Sequence, residues 1–456
     1  MRERRERTES TAIVIFDEHN DSVLFESESC VGERHVEMDG ADVHAPSPSE
    51  AAATSSSTIE DETATREPPP KKPRKEGVAP AAGSWPERAP RPPDAEQFNP
   101  YAKRKVALLL AYNGVGYSGL QKNPDVSTIE EVLEAAIHRA GGISAENFGT
   151  LQKVSWSRAG RTDKGVHALG QIISVKLIIE PDGLLERINT QLGDVAISVL
   201  GMERVTNNFC AHTLCTSREY EYLLPVSVLR SSSGSSAGSS GGSSSEPLSE
   251  SESKRLEEIL KRYQGTHSFH NFTDGKLTGA DSSAMRYMIH LRLGAPLSLS
   301  GVHYVSIRLH GQSFLLHQIR KMMALLCATY RGDVADDTIE TALKKSESMP
   351  QVPLAPSCAL MLRSALYANY ERRRVNEKNC GRNSVHFPEC EGAQQGFLTE
   401  RILPHVAECE REGEFERFVG QLEWYRQFRR ESLQSGSSSS GKVTSTESAA
   451  PAEEST

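Results

Sequence analysis

Between residues 105 and 370 the apolar positions fall into a series of periodic runs, each of strand or helix length. KVALLLAYNG (105–114) is an unbroken apolar run ending in Asn-Gly, which predicts a strand. STIEEVLEAAIHRAGG (127–142) spaces Ile129, Leu133, Ala136, Ile137 and Ala140 as a helical stripe, with a Ser127/Glu130 capping box before it and Gly141 after it. HALGQIISVKLII and VAISVLGMERV predict strands, and SREYEYLLPV places Tyr220, Tyr222 and Leu224 on one face of another. SKRLEEILKRYQG predicts a helix with Leu256, Ile259, Leu260 and Tyr263 on one side. Strands follow at MRYMIHLRLG and HYVSIRLHG, the second alternating Val305, Ile307 and Leu309 against Ser306, Arg308 and His310. SFLLHQIRKMMALLCATYRG predicts one long helix closed by Gly332, DTIETALKKS a shorter one, and ALMLRSALYANY a last strand. Strands and helices mix without strict β-α-β alternation. An α+β architecture with a largely antiparallel sheet is therefore expected.

The same pattern divides the chain. Residues 1–100 read as a disordered acidic tail rich in Pro and Ser, with one apolar patch at TAIVIF (11–16). Residues 101–230 and 251–375 read as two α+β subdomains, joined by a flexible Ser/Gly-rich insertion at 231–250. Residues 376–456 read as an extension, mostly disordered, with one helix around FERFVGQLEWYRQFRRES. Charge follows these divisions. The tail carries 12 Lys and Arg against 21 Asp and Glu, the extension 9 against 14, and residues 101–375 carry 31 against 26. A mildly basic centre between acidic flanks is compatible with nucleic-acid binding, although the whole chain is at −9.

Eight cysteines include no C-x-x-C pair, so neither a disulfide framework nor a zinc ribbon can be read, and reduced thiols of an intracellular protein are expected. No apolar run reaches the roughly 18–20 residues of a membrane span. The Arg-rich start MRERRERTES is interleaved with Glu, unlike a transit peptide. PPPKKPRKEG clusters Lys71, Lys72, Arg74 and Lys75, which suits a nuclear-localisation patch and equally a solvated charge run.

Two segments carry candidate chemistry. ALLLAYNGVGYSGLQ contains Gly114-x-Gly116-x-x-Gly119 after a strand, superficially a dinucleotide fingerprint. That fingerprint needs its last glycine at the opening of the helix that holds the pyrophosphate, and here LQKNPDVS, with Pro124, intervenes. A glycine-rich loop bending over a substrate is the better reading. The second segment, SWSRAGRTDKGVHALGQ, sets Asp163 among Arg158, Arg161, Lys164 and His167. RTDKG taken alone is a tight turn. Taken chemically, its cations would keep the carboxylate ionised and could hold phosphates, and an ionised carboxylate can attack an anomeric carbon or an electron-poor ring.

GRTDKGVHALGQ closely resembles the GRTD-x-GVHA-x-GQ segment of the TruA-type pseudouridine synthases. The resemblance covers roughly residues 101–370: LLAYNGVGYSGLQ is similar to the family's opening strand and Tyr/Gly loop, SREYEYLLP to its R-x-Y-x-Y strand, and GTHSFHNFT and GQSFLLHQIRKMM to motifs of its eukaryotic branch one. It implies the pseudouridine synthase fold, two subdomains sharing a central sheet beside a basic RNA-binding cleft. It implies an isomerase acting on uridine in tRNA, in the anticodon stem region, and on other structured RNA such as mRNA or snRNA. Asp163 matches the essential aspartate, whose first step is addition to the sugar, addition to the ring, or removal of the C2′ proton. Tyr220 matches the active-site tyrosine that stacks on the uracil and moves a proton, and Arg320 the arginine that pairs with the aspartate. Arg158, Arg161, Lys164, Tyr117, Gln121 and His167 are expected to contact RNA. No cofactor or metal is expected, since isomerisation is redox-neutral, and His267 and His270, spaced i, i+3, lack a Cys or acidic partner.

No membrane partner is expected, monomer and homodimer stay open, and nuclear residence is expected from the basic cluster, with a mitochondrial form as the alternative. The family's late A-P-G-L-x-L strand stands here as APSCALML, with Ser357 and Cys358 in place of Gly and Leu. Which apolar side chain of that strand backs the uracil is left open. The competing reading is an RNA-binding or tRNA-folding protein of the same fold with weak catalysis.

Overall fold

A computed structural model describes residues 102–230, 246–376 and 383–436. The acidic tail, the basic cluster at 71–75 and the tract at 231–245 lie outside the described residues. Five strands precede that tract: β1 (Lys103–Tyr112), β2 (Ser157–Arg158), β3 (His167–Ile178), β4 (Ile197–Arg204) and β5 (Ser217–Pro225). Five follow it: β6 (Gly265–Ser268), β7 (Met285–Leu293), β8 (Leu297–Leu299), β9 (Val302–Gly311) and β10 (Leu360–Leu366). They form one continuous sheet in the order β4-β1-β3-β10-β5-β9-β7-β6, with β2 on β3 and β8 on β9. Every pairing is antiparallel except β3 with β10, where Met361 faces His167 and Leu362 faces Ala168. The expected α+β class with a largely antiparallel central sheet is what the chain adopts.

Alternation along the strands assigns the two faces. Leu108, Leu110 and Tyr112 of β1 and Ile173, Val175 and Leu177 of β3 point into the main core. That core is completed by α1 (Ile129–Arg139), α2 (Leu184–Leu192), α4 (Glu250–Lys261) and α5 (Gln318–Tyr330), with the single turn α3 (Val226–Leu229) and α6 (Thr338–Leu343) at its margin. Ala107, Leu109, Ala111, Leu169 and Met361 point the other way, and they are buried too. Their cover is the C-terminal segment, through α7 (Ala368–Asn376), α8 (Glu391–Phe397) and α9 (Leu403–Arg411). Phe387, Phe397, Ile402, Leu403 and Val406 of this layer are all buried. Helix α10 (Glu414–Gly436) follows and sends Phe415, Phe418, Leu422 and Tyr425 into the main core. The expectation of a mostly disordered extension with one helix is thus corrected for residues 383–436. The physical reason is that strands buried on both faces need apolar cover on both.

Two smaller expectations also change. Thr128, not Ser127, caps α1, accepting from the Glu131 amide at 3.4 Å. Glu130 is thereby turned inward, fully buried, where its carboxylate accepts from the Lys122 amide at 3.0 Å, Trp156 Nε1 at 2.8 Å and Arg158 Nε. The long helix starts at Gln318 rather than Ser313, because His317 takes a left-handed conformation (φ 63°) that a helix cannot contain. Residues 313–317 become a loop against the face of β5.

Candidate active site

The Asp163 loop is held from below at almost every residue. It leaves β2 with the Ala159 amide on Ile172 O (2.8 Å), and Arg218 of β5 donates to Ala159 O at 2.6 Å. Gln171 of β3 donates to Gly160 O at 2.9 Å, and buried Thr162 shares a 2.7 Å hydrogen bond with Tyr112 OH at the end of β1. The chain then turns, Val166 N donating to Asp163 O at 3.1 Å, with Gly165 at φ 76° supplying the left-handed position. These contacts explain the residue types in GRTDKG. Asp163 stands half-buried at the tip of an anchored turn.

Gly114 and Gly119 of the Gly114-x-Gly116-x-x-Gly119 segment press against this same turn. A Cβ on Gly114 would stand 2.3 Å from Val166 O, and one on Gly119 2.9 Å from Thr162 O. Gly119 also has φ 94°, and the Leu120 amide donates to Thr162 O at 3.2 Å. Gly114→Ala should therefore push the Asp163 loop upward and lower single-turnover activity by at least about tenfold, the scale expected of a displacement near 1 Å. An alanine variant with wild-type rate and melting temperature would show that the loop can yield.

Asp163 faces a cavity of about 630 Å³ lined on one side by residues 156–163 and Val166, and on the other by Tyr220, Leu360 and residues 313–320. Tyr220 is buried, its ring edge-on to Phe314 with centroids 5.1 Å apart. Burial raises the phenol's pKa well above its usual range, so the group is a protonated donor at neutral pH. Among the described residues no protein group hydrogen-bonds its hydroxyl. Leu360 is the residue of β10 that reaches the cavity, while Ser357 and Cys358 do not. The site therefore keeps its apolar backing despite the altered sequence before it.

Other expected residues are placed differently. Arg320 lines the cavity, but its Nε donates to Ala355 O at 2.6 Å, and no ion pair joins it to Asp163 among the described residues. The side chain beside Asp163 is instead that of His317, Nε2 to Oδ2 3.8 Å, brought there by the left-handed turn that delays α5. The first turn of α5 also lines the cavity, so the positive end of the helix dipole favours a carboxylate there. Arg158 is committed to buried Glu130 and so is not a free phosphate ligand.

His167 is fully buried and is no RNA contact: its Nδ1 accepts from the Gly114 amide (3.1 Å), which leaves Nε2 to donate to Cys358 O (2.9 Å). Burial takes its pKa down to about 4, so it is neutral at physiological pH. Arg161 and Lys164 are exposed and make no polar contact with the described residues. Tyr117 and Gln121 are half-buried and outside the cavity lining. Arg218, Phe314 and His317, which lie inside the quoted motifs, and Arg286, which does not, also line the cavity, although no role was expected of any of them.

A mixed sheet thus carries one anchored aspartate, a buried tyrosine and several arginines in the walls of one cavity. Comparison with known proteins gives the family. The family model described as tRNA pseudouridine synthase matches residues 259–368. The chain is 35% identical over 327 residues to pseudouridylate synthase 1 homolog of Mus musculus, covering 70% of this chain and 73% of that one. Against pseudouridylate synthase 1 homolog of Homo sapiens the identity is 34%, covering 67% and 70%. Against tRNA pseudouridine synthase 1 of Yarrowia lipolytica it is 33%, covering 66% and 71%. The chain belongs to the tRNA pseudouridine synthase family, and is an isomerase that converts uridine to pseudouridine in RNA. No helix among the described residues is long and apolar enough to cross a membrane.

Proposed function

We propose that this chain isomerises uridines of tRNA, in the anticodon stem region, with Asp163 as the nucleophile. The observation that carries the reading is the meeting of Asp163, Tyr220, Leu360 and Arg320 in the walls of one cavity. A uridine flipped from its stack would lie between Leu360 and the Tyr220–Phe314 pair, its sugar toward Asp163. The N1–C1′ bond breaks, the uracil turns, and C5 bonds to C1′. The C5 proton leaves to solvent and N1 gains one, so no electrons are exchanged with a cofactor. Tyr220, in the wall of the same cavity, is the group assigned here to move such a proton. Arg320 fixes the 355 loop and presents its remaining guanidinium nitrogens to the cavity, where substrate binding can bring them to the carboxylate.

Loss of the C5 proton supplies the test. Tritium placed at C5 of tRNA uridines should be released to water in proportion to the pseudouridine formed. Binding of tRNA without release would favour the RNA-folding reading and sink this one.

Arg161 and Lys164, exposed beside the cavity, are proposed to hold phosphates flanking the target. Arg161→Ala and Lys164→Ala should each weaken tRNA binding and reduce the slope of log Kd against log salt by about 0.7–0.9. Unchanged salt slopes would remove them from the interface. Other structured RNAs, mRNA among them, are proposed as further substrates on the same ground. Nuclear residence is proposed from Lys71, Lys72, Arg74 and Lys75.

A further inference from the structure

Consecutive residues of α5 line different cavities. Arg320 lines the catalytic one, and Lys321 a second of about 520 Å³, walled by the loops over 273–280 and 345–351. The segment GTHSFHNFT builds this second cavity. His270 Nε2 donates to Glu347 O at 2.7 Å, which leaves Nδ1 to accept from Ser268 Oγ at 2.9 Å. Asn271 ties the same stretch at three points, its Nδ2 on Ala342 O (2.9 Å) and Glu347 O (3.0 Å) and its Oδ1 on the Met349 amide (3.0 Å). In the facing loop the Asp281 carboxylate accepts from Thr278 N at 2.7 Å and Thr278 Oγ1 at 2.8 Å. The two loops meet at Gly279, where a Cβ would collide with Lys345 O. These polar side chains are thus spent on holding the walls.

Lys321 is the exception. Its side chain is buried, at 3% exposure, yet its ammonium has Thr273 O as partner and no ion pair among the described residues. An ammonium carries three donors, so two remain open in a cavity of small-ligand size. Burial pushes the group's pKa down, with Asp274 opposing the shift, and Asp274 itself is paired with Lys276 at 3.2 Å. A buried cation without a counter-charge destabilises the fold, a cost that an incoming anion offsets.

We propose that this cavity is a phosphate site for RNA, in which Lys321, with Lys345 on the facing loop, binds a phosphodiester of the strand whose uridine occupies the catalytic cavity. Adjacent positions on one helix put the two sites within reach of a single strand. Phosphate oxygens are the groups that RNA offers most often to a lysine. The inference rests on the tRNA reading above, which tritium release by the wild type tests separately.

The test measures tRNA affinity of the full-length chain between 50 and 200 mM salt. Lys321→Met keeps the length of the stem and removes the charge. It should weaken binding about tenfold, the scale of one hydrogen bond to a charged group. The slope of log Kd against log salt should fall by about 0.7–0.9, with a melting temperature no lower than that of the wild type. A lower melting temperature with an unchanged slope would show that Lys321 only ties the Thr273 carbonyl, and would overturn the site. If Lys321→Met fails to fold, Lys345→Ala changes an exposed residue and should lower the slope in the same direction. An unchanged slope there would overturn the site as well. Ethylation of single tRNA phosphates should reveal one position that hinders binding to the wild type and not to Lys321→Met. Inorganic phosphate or UMP could instead raise the melting temperature of the wild type alone while both chains keep the same tRNA slope. That result would assign the cavity to a free anion and overturn the RNA site.

Discussion

Asp163→Asn should lower pseudouridine formation under single-turnover conditions by about three orders of magnitude or more, while tRNA affinity stays within about threefold. The separation follows from how the residue is held. The loop is tied through Ala159, Gly160, Thr162 and the Val166 turn, none of which uses the Asp163 carboxylate. Asn therefore occupies the same place with the same shape, and only the proposed nucleophile and the 3.8 Å contact to His317 are lost. The proposed phosphate ligands, Arg161 and Lys164 among them, do not include Asp163, so ground-state binding has little reason to change. Residual turnover above a few per cent of wild type would remove Asp163 from the chemistry. A melting temperature equal to wild type is part of the expectation, since it separates lost chemistry from lost structure.

Tyr220→Phe should come next in effect, with single-turnover rates about two to four orders of magnitude lower, the range of a positioned acid–base group. Phe retains the edge-on packing against Phe314 and the face offered to the base. Because no protein group among the described residues hydrogen-bonds the hydroxyl, the change leaves no orphaned partner in the fold. Its effect is then confined to the proton that the buried phenol retains at neutral pH. A stacking role alone would give a different pair of results: Phe within about threefold of wild type, and Ala severely impaired by loss of roughly 1–3 kcal/mol of base stacking. The comparison of Phe with Ala at saturating enzyme decides between them.

The strands β1, β3, β4, β5, β7, β9 and β10, the helix over 129–139 and the Asp163 turn were legible because local pattern and local chemistry agree there, whereas the short strands β2, β6 and β8 were not. What stayed hidden depended on distant partners. Helical periodicity runs without a break from Ser313 to Tyr330, yet tertiary contacts hold 313–317 as a loop, and His317 reaches Asp163 only for that reason. Ser127 and Glu130 have capping-box spacing, but Glu130 is needed inward by Trp156 and Arg158, and Thr128 takes over the cap. His167 looked available in a run of cations, although it is the first residue of a central strand and its ring is locked between two backbones. One signal was present and went unused. The unbroken run VALLLAY in β1 is apolar on both faces, which requires a second covering layer, and residues 383–436 with their scattered Phe and Leu are the segment that could supply it.

The place of β10 in the sheet bears on how the protein is made. Among the described residues it is the last strand to leave the ribosome, yet it lies between β3 and β5, with strands on both sides that were synthesised well over a hundred residues earlier. Until residues 360–366 emerge, β3 and β5 must wait with open edges, the condition under which nascent chains mispair or aggregate. The Asp163 turn and the Tyr220 strand are brought to a common wall by that late insertion. Catalytic competence is consequently a property of the finished polypeptide, and a nascent chain arrested before Leu360 would hold two separate half-sheets in need of chaperone protection.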